Sequence, residues 1–233
     1  VFIENCDSEL IETLLYNELL NSFSQCFHFY KKKNLIILYD AVGRFAEKCE
    51  LDDSAMQVIL PHLISKWSSL PDNDKELWPL LECLSYVATS LGEKFMPMAP
   101  EVYNRAYRIL CRCVELEEKS HQDPHIVVPE KDFVITSIDM IDGLVQGLGP
   151  QSQALLFPQE GQDTSVLKVL LKCLQDPVHE VRQSTFALLG DIVYYYEPRL
   201  LVHFLPEFLK LIGMEMVHND CLLYTSPSPR DTR

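Results

Sequence analysis

Apolar residues recur at spacings of three and four along nearly the whole chain, in segments 9–29, 33–49, 54–68, 74–92, 95–117, 131–148, 164–175, 178–196 and 198–212. That is the period of a helix buried along one face. No run alternates apolar with polar residues between tight Gly hairpins, as half-buried strands would. The breaks carry the chemistry of helix ends. Leu51-Asp52-Asp53-Ser54, Leu70-Pro71-Asp72-Asn73-Asp74 and Gln175-Asp176-Pro177 supply Asp and Ser caps, and prolines that cannot continue a preceding helix. Longer polar loops are expected at 118–130 and 149–162. The chain is therefore all-α, built from antiparallel helix pairs, and either a bundle or a stacked solenoid would satisfy that pattern.

Three features favour the solenoid. The run Asp176-Pro177-Val178-His179-Glu180-Val181-Arg182-Gln183-Ser184-Thr185-Phe186-Ala187-Leu188-Leu189-Gly190 resembles the HEAT-repeat signature, with Asp-Pro in the turn and Val-Arg opening the second helix. Helix pairs recur at roughly the 40–47 residue spacing of HEAT units, the later ones lengthened by the two loops. Finally, the second helix of each pair carries two distinct faces. The expected architecture is a HEAT-repeat α-solenoid of about four and a half repeats over residues 1–220.

The second faces form a ladder. Opposite the core stripe Leu35, Leu38, Val42, Phe45 and Cys49 stand Ile36, Asp40, Gly43 and Glu47. Opposite Leu77, Leu80, Leu84, Val87 and Leu91 stand Trp78, Glu82, Ser85 and Thr89. The third such helix sets Ile135, Asp139 and Asp142 against Ile138, Ile141, Val145 and Leu148, and the fourth presents Ala187, Asp191 and Tyr194. An apolar residue followed four positions later by an acid thus recurs in four successive pairs, one residue above the other on a helix face. Second helices line the concave surface of such a superhelix, so Asp40, Glu82, Asp139 and Asp191 are expected to share one row. A row of carboxylates with apolar shelves suits an extended basic peptide. The competing reading is that these acids are ordinary solvated helix charges.

Composition and the remaining motifs narrow the function. Thirty-four acidic against 20 basic residues give a net charge of −14, which disfavours phosphate contacts and hence direct nucleic-acid binding. No apolar run reaches membrane-span length, and no secretory leader is seen. The eight cysteines are scattered through apolar helices rather than spaced as a disulfide framework, which fits a reducing compartment. Cys111 and Cys113 would point about 200° apart on a helix, and His121 and His125 sit in a loop around Pro124, so no metal or cofactor is expected. No phosphate loop, nucleophile elbow or Cys–His pairing appears, and enzyme activity is not expected. Trp78 has the groove phase and is either a binding anchor or an inter-repeat packing residue.

Several runs carry a more specific resemblance: Asn34 to Gly43, Leu80 to Ser85, Pro129 to Phe133, Gly143 to Gly149 and Glu180 to Asp191. Across roughly residues 9–220 they resemble the karyopherin-beta-2 (transportin) branch of the importin-beta superfamily, in the C-terminal half that holds cargo. The resemblance implies a nuclear import receptor that binds basic proline-tyrosine nuclear localisation signals of cargo such as RNA-binding proteins. It implies release by Ran-GTP bound outside this chain, contact with nucleoporins, and shuttling between cytoplasm and nucleus. It matches the family's cargo-contact acids to Asp40, Glu82, Asp139 and Asp191 and its apolar contact to Ile135, with Glu47 standing where the family has Asp. The Ran-binding repeats, the long acidic loop and two groove tryptophans of the family fall outside the match, and the chain opens on Val1, so it reads as a segment of something longer. Residues 221–233, with Ser-Pro-Ser-Pro-Arg, have no helical period and no family motif and are expected to be a non-family tail, either an artefact or disordered. The rival function is a HEAT scaffold organising folded subunits, for which the concave acids would be dispensable.

Overall fold

The structure, a computed structural model, describes residues 2–158 and 165–217, and among them every regular element is helical. A short α1 (Phe2–Asn5) precedes α2 (Ser8–Leu10), which runs through one π-helical turn into α3 (Tyr16–Phe29). The pairs then follow: α4 (Lys32–Lys48), α5 (Asp53–Ser69), α6 (Leu77–Leu91), α7 (Ala99–Ser120), α8 (Asp132–Leu148), a short α9 (Gln153–Leu156), α10 (Ser165–Cys173), α11 (His179–Tyr195) and α12 (Leu205–Val217). Helices α3/α4, α5/α6, α7/α8 and α10/α11 are four antiparallel pairs, and α12 begins a fifth. The chain is an all-α HEAT-repeat solenoid.

Each second helix packs on the next: α4 on α6, α6 on α8, and α8 on α11. The first helices touch their neighbours much less, so the stack curves toward the second-helix layer, which is the concave one. The core stripes lie between the two layers. Val42, Phe45, Leu77, Leu80, Leu84, Val87, Ile138, Ile141 and Val145 are completely buried, and burial of such side chains stabilises each by about 1.5–3 kcal/mol.

The close approach of α6 and α8 has a local cause. A Cβ on Gly143 would stand 2.7 Å from the Ser85 carbonyl oxygen, and one on Gly147 would stand 3.0 Å from the Thr89 Cα. Only glycine lets these backbones meet, despite its cost of roughly 0.5–1 kcal/mol in a helix interior. The gap is then stitched by hydroxyls, since Ser85 Oγ donates to the Asp139 carbonyl at 2.8 Å and Thr89 Oγ1 to the Gly143 carbonyl at 3.2 Å.

The turns are held by charge. Asp176 accepts from its own Val178 N–H at 2.9 Å and from the Lys131 ammonium of the preceding repeat, which also bonds both Glu117 oxygens at 2.6 Å. Arg182 reaches back to the Asp176 and Pro177 carbonyls at 2.9 and 3.2 Å, which is the physical content of the Asp-Pro…Arg signature. In the α5–α6 turn Asp72 plays the part of Asp176, gripped by Arg105 at 2.7 Å and Arg108 at 3.1 Å from α7. Arg105 is nearly buried, stacks 4.4 Å over Trp67, and donates to the Trp67 and Leu70 carbonyls.

The helix expected at 9–29 is interrupted by a π-helical turn at Ile11–Leu15, the one expected at 95–117 begins only at Ala99, and two later segments also differ from the sequence reading. The helix expected at 198–212 is instead a 3₁₀ turn at Pro198–Leu200 followed by α12. Pro206 lacks an N–H and is favoured in a first helical turn, where α12 places it, although α5 carries Pro61 in its interior. The loop expected at 149–162 contains a 3₁₀ turn, Gly149–Ser152, and then α9. The buried Ser152 hydroxyl anchors this segment 2.7 Å from the Tyr196 hydroxyl. The tail at 221–233 lies outside the described residues.

Candidate functional site

The acids singled out by periodicity sit on consecutive second helices: Asp40 and Glu47 on α4, Glu82 on α6, Asp139 on α8 and Asp191 on α11. They share a field. Asp40 and Glu82 both bear on the Cys83 thiol, whose pKa is pushed far up chiefly by burial. Glu47, Glu82 and Asp139 all bear on the Tyr86 phenol, again raised mainly by burial. Glu82 in turn acts on Asp139, and Asp139 and Asp191 act on Asp142. The carboxylates form one electrostatically continuous row.

They do not share one environment. At the α4 end Asp40 and Glu47 are exposed, and Arg44 lies between them, 3.7 Å from Asp40 and 3.1 Å from Glu47. Asp40, Arg44 and Glu82 line a shallow depression of about 110 Å³ between α4 and α6, with Ile36 at its edge and Tyr86 in its wall. Glu82 is exposed and, among the described residues, has no ion-pair partner.

At the α8–α11 end the acids sink into the interface. Burial pushes Asp139 up to about 6; a hydrogen bond from Ser184 works against that shift, and the Glu82 charge adds to it. Asp142 and Asp191 are both buried, and one amide nitrogen, Gln146 Nε2, donates to an oxygen of each at 2.9 Å. Sharing one amide donor brings the two carboxyls close enough for their charges to oppose one another. Asp142 is accordingly held well above the carboxylate range by burial and then by the charges of Asp191 and Asp139. Its Oδ1 is buried without a hydrogen-bond partner.

The apolar members divide likewise. Ile36 and Tyr194 are exposed, whereas Trp78 and Ile135 are half-buried and packed against the core. Trp78 meets Phe133 edge-on at 5.3 Å between ring centres, under the Lys75 ammonium at 5.4 Å, so most of its surface goes to packing between repeats. Its indole N–H is buried without a partner.

Sequence reasoning overlooked Arg44, Gln146 and Ser184. Arg44 was legible, since it stands four residues after Asp40 and three before Glu47 on the same face. Gln146 and Ser184 depend on how α8 and α11 are rotated against each other. Among the described residues no group of three or more His, Cys, Asp or Glu is placed to hold a metal ion, and no helix is long and apolar enough to cross a membrane.

Comparison with known proteins fits this geometry. The HEAT repeat family matches residues 166–196, the α10–α11 pair. The chain is 73% identical over 220 residues to importin subunit beta-2 of Saccharomyces cerevisiae, covering 94% of this chain and 24% of that protein. It is 38% identical over 212 residues to importin subunit beta-2 of Schizosaccharomyces pombe, covering 86% of this chain and 23% of that protein. It is also 38% identical over 193 residues to human transportin-1, covering 81% and 21% respectively. The chain thus spans about a quarter of the length of the curated relatives it matches. With second helices stacked into a HEAT solenoid and this level of identity along nearly all of its length, the chain belongs to the importin beta-2, or transportin, family.

Proposed function

We propose that this chain holds cargo within a nuclear import receptor, binding extended basic signals of the proline-tyrosine type along its concave acidic row. One observation carries the reading: acids at the same helical phase lie on four consecutive stacked helices, α4, α6, α8 and α11. Such a row pairs with successive Arg or Lys side chains of an unfolded segment, and the exposed Ile36 and Tyr194 offer apolar shelves beside it. The work is binding, with no catalytic step. In the intact receptor Ran-GTP would act from repeats outside this chain, and the protein would pass between cytoplasm and nucleus.

Coulomb steering speeds encounter and makes affinity fall with salt, because the Debye length is only about 10 Å at 0.1 M. Ordering the peptide costs part of the interaction energy. The test is fluorescence anisotropy of a labelled basic peptide ending in Arg and Pro-Tyr, titrated with the chain. Asp40→Lys and Glu82→Lys each place a like charge against the peptide and are expected to weaken binding by about tenfold or more. Undiminished affinity in the folded double variant would refute the groove and leave the scaffold reading.

A further inference from the structure

The half of the row that is open to solvent is not uniformly available. Asp40 and Glu47 share Arg44, whereas Glu82, across the same depression, has no cation among the described residues. Arg44 reaches these acids from their own helix, at i+4 from Asp40 and i−3 from Glu47, so its guanidinium lies where a basic side chain of an incoming segment would pair. We propose that Arg44 is a built-in competitor: it occupies Asp40 and Glu47 in the free protein, and a basic ligand binds at this end of the row by displacing it. This rests on the peptide-binding reading above and sharpens it, because it makes one residue a determinant of affinity for arginine-bearing ligands.

The geometry suits displacement. The Arg44–Glu47 contact is a hydrogen-bonded pair at 3.1 Å, while the Arg44–Asp40 contact at 3.7 Å is a looser ion pair. Both acids are at least 40% exposed at the side chain, so the pairs are weak enough to exchange. An Arg on a ligand could take over both carboxylates while Arg44 swings to solvent on its flexible stem. A fixed Arg44 would act differently, as one more positive charge adding a constant repulsion.

A double-mutant cycle separates the two. The probe is a fluorescein-labelled, arginine-bearing peptide ending in Pro-Tyr, read by anisotropy against the full 233-residue chain. Arg44→Gln is expected to tighten binding about three- to tenfold, the scale of one or two half-exposed ion pairs. Asp40→Asn is expected to cost about twofold in the wild-type background and about fivefold beside Arg44→Gln, because only then is the whole Asp40 interaction gained on binding. Lys48→Gln removes a charge one turn further along α4 and should change affinity less than twofold. Unchanged or weaker binding by Arg44→Gln, additive effects of Arg44→Gln and Asp40→Asn, or equal tightening by Lys48→Gln would each overturn the proposal. Glu82→Lys distinguishes that failure from failure of the groove itself. If Glu82→Lys weakens binding while Arg44→Gln does nothing, the groove stands and the competitor falls; if neither variant nor the wild type binds, both fall.

Discussion

The Asp142–Asp191 pair allows a quantitative test of how the α8–α11 interface is held. Gln146 Nε2 lies 2.9 Å from an oxygen of each, so the two carboxyls are within about twice that distance of one another. Two full charges about 5 Å apart repel by roughly 3 kcal/mol at an effective dielectric near 20. Asp142, held well above the carboxylate range, avoids this by keeping its proton. Folding therefore raises the pKa of Asp142, so the folded state holds a proton that the unfolded state has released. Its contribution to stability is full below the ordinary carboxylate pKa and is lost as pH rises through the elevated folded value. Asp142→Asn preserves shape, supplies a permanent N–H for Asp191, and removes the titration. Urea unfolding of both proteins at pH 5.5 and 8.5 measures the effect. The variant is expected to match wild type within about 1 kcal/mol at pH 5.5 and to gain about 1–3 kcal/mol on it at pH 8.5. Subtracting the two proteins cancels every titrating group that does not interact with Asp142. A difference independent of pH, or a variant that loses stability relative to wild type as pH rises, would refute a proton held on Asp142.

Arg105→Met should destabilise by about 3–5 kcal/mol in urea unfolding, because it removes a nearly buried cation that holds Asp72 and two carbonyls. Its exposed neighbour Arg108→Met should cost less than about 1 kcal/mol. Gly147→Ala, whose new Cβ would crowd the Ala88–Thr89 backbone, should lower stability by about 1–3 kcal/mol, whereas Gly190→Ala, with nothing within 4 Å, should raise it by about 0.5–1 kcal/mol. With Asp139 titrating at about 6, affinity for a basic peptide should fall between pH 7.5 and 5.5 as that carboxylate is protonated, and Asp139→Asn should lose this part of the pH dependence in anisotropy titrations.

Much of this fold was legible because each helix pair solves the same local problem. Leu77, Leu80, Leu84, Val87 and Leu91 declare a core face by spacing alone, and all five are buried. The Asp-Pro turn and Arg182 form their contacts within a few residues, so a single sequence carries them. What the spacing missed was set by chemistry that periodicity does not weigh. The apolar pattern of 198–212 runs straight through Pro206, whereas the helix begins at Leu205 with Pro206 in its first turn. Ser152 anchors the segment after α8 by a bond to Tyr196, 44 residues later in the chain.

The candidate site shows a sharper division between phase and depth. Phase is local: an acid four residues after an apolar residue, on the face opposite the core, identifies Asp40, Glu82, Asp139 and Asp191 on equal terms. Depth depends on how closely neighbouring helices approach, and that is governed by residues outside the ladder motif. Gly143 and Gly147 let α8 settle onto α6, and α11 then packs on α8, so Asp139, Asp142 and Asp191 are drawn into interfaces that Asp40 and Glu82 never enter. Burial raises the first two of these, so they carry a charge less readily than an exposed carboxyl does. The carboxylates of the row that stay open to solvent are therefore not where acids are densest but around Asp40 and Glu82. There Arg44 offsets two of the three charges, Asp40 and Glu47, while Glu82 has no cation among the described residues. For a basic segment arriving from solution, Glu82 is the carboxylate least committed to the protein itself, and replacing it should remove more affinity than replacing Asp191, although the two occupy the same phase on their helices.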